Sequence, residues 1–148
     1  MTNLREQAEE FRQTYNQDMF DGLTQCGFLK LRTLAMQTGL IEEESREFLD
    51  AVDALILDPH KTSARVNLLK ELADLVFVCY QFAATYNLDL DEAMHRIYES
   101  NLSKLDEAGN PIFRDDGKVL KGPTYKPPFL EDLVVQKQGP MERPVDTK

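Results

Sequence analysis

The chain has 148 residues, 42% of them apolar, with 26 Asp+Glu against 17 Lys+Arg and a formal net charge of −9. That length and apolar share suit one compact domain, or a core domain with a tail, and exclude wholesale disorder. The acid excess argues against a protein that coats a nucleic acid polymer or an anionic membrane through a basic face. Two cysteines, Cys26 and Cys79, cannot build a disulfide scaffold or a structural zinc site, so a reduced, cytoplasmic setting is expected. The opening MTNLREQAEE lacks the apolar stretch of a secretory signal, and the longest apolar run, Leu75 to Tyr80, is far short of a membrane span.

Composition divides the chain at 105/106. Residues 1–105 hold three Gly and one Pro, and residues 106–148 hold four Gly and six Pro. The first part reads as a helical domain and the second as an arm of turns and extended chain. A first helix is expected over 3–16, capped by Thr2 or Asn3, with Leu4, Ala8, Phe11 and Tyr15 as its apolar stripe. Residues 17–27 form a loop, in which Cys26 is accessible. A second helix runs over 28–57, bent or broken at Gly39 and stopped by Asp58-Pro59. Thr62 or Ser63 caps a third, about 63–87, and Asp89 with Glu92 makes a capping-box-like start for a fourth, about 90–105. Four helices with short connections predict an all-α, four-helix-bundle-like architecture. In the tail, DEAGN, RDDGK and KGPT are turn signals, which predicts a small hairpin or extended arm over 106–130. Residues 136–148 have little to bury.

The acids carry the functional argument. On a helix at about 100° per residue, Leu40, Phe48, Ala51 and Leu55 fall within about 40° of Glu44, and Glu47 lies about 60° to one side. On the third helix Leu68, Leu75, Val78 and Phe82 flank Glu71, with Asp74 about 60° away. This helix is apolar almost all round and is expected to be central. Two helices thus each place an i, i+3 acidic pair on an apolar stripe. Ionised carboxylates there are costly unless paired or bound to metal, and their convergence raises their pKa values. Divalent cations relieve both costs, and Mg²⁺ favours oxygen ligands. The competing reading is ordinary: Asp74 pairs with Lys70, its i−4 neighbour. The fourth helix carries Asn101 within its stripe of Leu90, Met94, Ile97 and Leu105, with Lys104 about 60° away. Both residue types can donate to phosphate. His60 and His95 lack metal-ligand partners at useful spacing and read as surface residues.

Glu-Glu-x-x-Glu at 43–47 followed by Glu-x-x-Asp at 71–74, with the flanks LIEEESREFLDA and KELADLVFVCY and the later NLSKLD, resembles the all-α nucleoside triphosphate pyrophosphohydrolase superfamily. That group includes MazG-type enzymes, dimeric dUTP and dCTP pyrophosphatases and phosphoribosyl-ATP pyrophosphohydrolase. The resemblance covers about residues 3–105 and implies a MazG-type fold with an extended or hairpin C-terminal arm. It implies cleavage between the α- and β-phosphates of a nucleotide, giving a monophosphate and pyrophosphate. By the same resemblance Glu44, Glu47, Glu71 and Asp74 would hold Mg²⁺, with Mn²⁺ able to substitute. Glu43, together with Glu44 and Glu47, would make up the catalytic acids, Glu43 orienting or deprotonating the attacking water. Asn101 and Lys104 would contact the nucleotide or its phosphates, and a homodimer or homotetramer would complete the bundle. Base recognition is not fixed by the motif. Phe11, Phe20, Phe28 and Tyr125 are candidates for stacking. Lys118, Lys121 and Lys126 make the arm basic: residues 118–148 carry a net +2, which leaves −11 on residues 1–117. Lys121 and Tyr125 are therefore further substrate-binding candidates. The alternatives are phosphoribosyl-ATP hydrolysis and a helical module that binds metal or a partner without turnover.

Overall fold

A computed structural model describes residues 3–22 and 27–134. Cys26 and residues 136–148 lie outside the described residues. Among those described, the helices are α1 (Leu4–Thr14), α2 (Phe28–Leu57), α3 (Thr62–Thr85), α4 (Leu90–Leu102) and the short α5 (Glu131–Val134). Extended pairing among the described residues is limited to two isolated bridges, so the fold is all-α. No helix among the described residues is long and apolar enough to cross a membrane. The chain packs as two compact units, Met1–Met94 and His95–Lys148, and the division falls inside α4.

In the first unit, α1 opens with a complete capping box. Asn3 Oδ1 accepts from the Glu6 amide at 2.8 Å, and the Glu6 carboxylate accepts from the Asn3 amide at 3.1 Å. The helix stops two residues earlier than predicted, and Asn16 takes a left-handed φ of 49°. Its predicted stripe is only partly buried: Ala8 is sealed, while Leu4 and Tyr15 are exposed. α2 runs without a break through Gly39, where a bend or break was expected. Nothing lies within 4 Å of the place a Cβ would occupy at Gly39, so no neighbour demands the glycine. Asp58 terminates α2 as predicted. Neither Thr62 nor Ser63 caps α3: Thr62 is already helical, and the N-cap is Lys61, which makes no side-chain cap bond. At the start of α4 the Glu92 amide does donate to Asp89 Oδ1, at 3.2 Å.

α3 packs against both α1 and α2, which makes it the central helix of its unit. The Tyr86 hydroxyl donates to the Lys30 carbonyl, while Glu71 meets Glu44 and Glu47 near the middle of α2. Contacts whose sequence separation shrinks toward the connecting turn define an antiparallel pair, as a four-residue link requires. The core is small and polar. Its largest fully buried side chains are Arg12, Tyr86, Gln37 and Thr85. Arg12 donates to the Asp18 carbonyl from Nε and Nη2 at 3.0 and 2.5 Å, and Gln81 Nε2 donates to the Ala8 carbonyl. Burial depresses the Arg12 guanidinium, with the charge of Asp18 opposing that shift. Gln37 Oε1 is buried without a hydrogen-bond partner. Large apolar residues lie outside this core: Val66, Leu69, Leu72 and Val76 form an exposed flank of α3 turned away from Glu71.

In the second unit α4 ends at Leu102 instead of about 105. The arm then folds through two tight turns, at Gly109 (φ 84°) and Gly117 (φ 86°), where the sequence places DEAGN and RDDGK. The bridges Leu105–Pro111 and Phe113–Val119 close them. The returning chain is pinned to the end of α4. Ser100 Oγ donates to the Lys126 carbonyl at 2.7 Å, Ser103 Oγ accepts from the Lys126 amide at 2.8 Å, and Thr124 Oγ1 donates to the Leu105 carbonyl at 2.8 Å. Gly122 permits this approach, since a Cβ there would stand 1.9 Å from the Leu105 oxygen. Arg96 clamps α5 through a two-pronged pair with Asp132 at 2.5 and 2.9 Å.

Candidate active site

α2 and α3 each contribute acids to one place. Glu44, Glu47 and Glu71 each offer one carboxylate oxygen within 4.8 Å of the others. The three differ in environment: Glu71 is buried, Glu44 half-buried and Glu47 exposed. The expectation that both pairs lie on buried-side stripes is therefore corrected: only Glu71 is buried, and on the same helix the Asp74 side chain remains 42% exposed. The Glu44 carboxyl is held above its ordinary value, chiefly by desolvation and then by the charges of Glu47 and Asp74. Glu43 is exposed and adds a smaller repulsion of the same sign.

Asp74, the fourth expected ligand, stands outside this close group. Its Oδ2 lies 2.8 Å from Lys70 Nζ, which also sits 2.9 Å from Glu71 Oε2. The i, i+4 pair that the sequence offers as the ordinary reading is thus present, with a second contact to Glu71 that spacing does not reveal. Asp74 and then Glu71 raise the Lys70 ammonium above its usual range, so it remains charged. An all-oxygen donor set with excess negative charge fits a hard divalent cation such as Mg²⁺ or Mn²⁺ better than a softer metal.

The second unit gathers other predicted residues. Lys121 Nζ lies 4.4 Å above the Tyr125 ring. The neighbourhood of Ser100, and then of the Lys121 and Lys104 ammonium groups, lowers the Tyr125 phenol from its ordinary value. Lys121 and Tyr125 therefore share one cationic, hydroxyl-bearing place, and the arm that carries them is tied to α4 by Ser100, a residue that the sequence reading missed. Its signal was slight: Ser100 and Ser103 are small residues one turn apart at the end of α4. Asn101 is exposed, which corrects its placement within a buried stripe, and Met94 and Ile97 of that stripe are exposed too. Of the stacking candidates, Phe20 stacks on Tyr86 at 5.8 Å, Phe11 packs on Tyr15 and Phe77, and Phe28 is exposed. His60 and His95 are at the surface.

Residues 29–101, which span nearly all of α2, all of α3 and α4 to Asn101, match the family model described as phosphoribosyl-ATP pyrophosphohydrolase. No curated protein matches the chain. The matched segment contains every acid of the converging group. The helical order, the two acidic pairs and the family match agree: over residues 29–101 the chain carries a domain of the all-α nucleoside triphosphate pyrophosphohydrolase superfamily, hydrolases that act on phosphoric anhydrides.

Proposed function

We propose that the protein is a Mg²⁺-dependent nucleoside triphosphate pyrophosphohydrolase that cleaves between the α- and β-phosphates and clears (deoxy)nucleotides such as dUTP or dCTP. The convergence of Glu44, Glu47 and Glu71 inside the family match is the observation that carries this reading. Glu44, Glu47, Glu71 and Asp74 would hold the metal, with Mn²⁺ able to substitute. Metal bound there would neutralise phosphate charge and acidify water for an in-line displacement. Glu43, exposed beside the cluster, orients or deprotonates the attacking water, with Glu44 and Glu47 completing the catalytic acids. Asn101, Lys104, Lys121 and Tyr125 would contact the nucleotide or its phosphates, and the position of the Lys121 ammonium 4.4 Å over the Tyr125 ring supports two of the four. The exposed apolar flank of α3 supports a homodimer or homotetramer. The unpaired Cys79 suits a reduced, cytoplasmic setting.

The description of the matched family favours a second substrate, phosphoribosyl-ATP. Pyrophosphate release with Mg²⁺, measured across dUTP, dCTP, the other deoxynucleotides and phosphoribosyl-ATP, decides between them. Turnover confined to phosphoribosyl-ATP selects the second reading. Absence of turnover on every substrate would reject both and leave a binding module.

A further inference from the structure

Lys70 occupies an unusual position among the acids. Its ammonium lies 2.9 Å from Glu71 Oε2 and 2.8 Å from Asp74 Oδ2, and Asp74 is the one expected ligand outside the close group. An ammonium is a compact, strongly hydrated point charge with three donors, so it satisfies carboxylate oxygens much as a hydrated cation does. Its place one turn before Asp74 lets it reach that carboxylate by helix geometry, and the long flexible stem lets the same ammonium also reach the adjacent Glu71. The Lys70 side chain is 60% exposed, so water can take over its donors when an oxygen leaves, and the exchange is cheap.

Resting on the metal-site reading above, we propose that Lys70 is a built-in competitor of the metal ion. It holds Asp74 in reserve, so that metal entry exchanges the ammonium for the cation at Asp74 Oδ2 and Glu71 Oε2. Glu44, Glu47 and Glu71 are the preset part of the site, and Asp74 is recruited. Lys70 thereby sets the metal concentration that the protein requires above what the acids alone would set.

The test is Mn²⁺ binding to the full chain without nucleotide, followed by the electron paramagnetic resonance signal of free Mn²⁺. Lys70→Met should lower Kd by about threefold to tenfold, the scale of a lost exposed ion pair plus one local positive charge. Arg46→Met is the control for charge alone: Arg46 lies between Glu44 and Glu47 in the sequence but about 200° around α2 from Glu44, where it bonds the Glu42 carbonyl, and its removal should change Kd by less than about twofold because exposed charges are screened. If Lys70→Met tightens binding no more than Arg46→Met does, or weakens it, the competitor role is wrong while the metal site stands. If neither the native chain nor Lys70→Met binds Mn²⁺, the metal-site reading itself falls, and this role with it. Binding by Lys70→Met alone would support the proposal in its strongest form.

Discussion

Replacing Glu44 by Gln asks whether the acid group is held together at an electrostatic cost. Its oxygens lie within 4.8 Å of one another. Two unit charges at that separation repel by about 3.5 kcal/mol at an effective dielectric of about 20, and by about 0.9 kcal/mol in water. Glu47 is exposed and Lys70 offsets part of the Glu71 charge, so the lower limit applies, and Glu44 contributes about 1 kcal/mol of net repulsion. Gln keeps the shape and removes the charge. In a chelator near pH 7.5, Glu44→Gln should therefore raise the unfolding free energy by about 1 kcal/mol in urea titrations. The pH dependence follows from the raised folded-state value. The folded protein holds the Glu44 proton more tightly than the unfolded chain, whose ordinary value is 4.5. The contribution of Glu44 to native stability is thus full below that value and is lost as pH rises through the folded one. The advantage of the variant should accordingly shrink toward zero near pH 4. Saturating Mg²⁺ should reverse the order, because only the native site gains its full binding free energy. A variant no more stable than the native chain in chelator near neutral pH would refute the account of crowded charge.

Three further outcomes are expected. Asp74→Ala should reduce kcat by at least about a hundredfold with helix content unchanged by circular dichroism, and a fully active variant would remove Asp74 from the metal ligands. Leu69→Glu, on the exposed flank of α3, should shift the protein to a smaller species in light scattering while leaving the fold intact; an unchanged mass would move the subunit interface elsewhere. Gly122→Ala forces a Cβ onto the Leu105 oxygen, so it should loosen the arm, speed amide exchange at Lys126 and raise nucleotide KM several-fold, and an unperturbed exchange profile would contradict the docking described.

Much of this was legible in the residues. The ends of α2, the turns at Gly109 and Gly117 and the two acidic pairs follow from local signals: a Pro stop, Gly at left-handed φ and helical spacing. What escaped depends on contacts between elements. Arg12 sits one turn after Ala8 and so shares its face, yet a charged residue reads as solvated until Asp18 and Gln81 are brought beside it. The second contact of Lys70 and the exposure of Asn101 were likewise hidden, because spacing gives the face of a helix and not what covers it. Gly39 shows the converse error: a helix breaker by propensity is tolerated within a long, packed helix.

The placement of apolar residues has a consequence for how long the protein lasts. Its sealed interior is made of Arg12, Gln37, Thr85, Tyr86 and small residues, while Leu69 and Val66 face outward. In an oligomer those outer side chains supply the missing hydrophobic burial, and the folding equilibrium then depends on the concentration of the chain itself. Dilution of such an oligomer would be a route to unfolding. Newly made copies at low abundance would be the most exposed to proteolysis, and each additional copy would lengthen the lifetime of those already present.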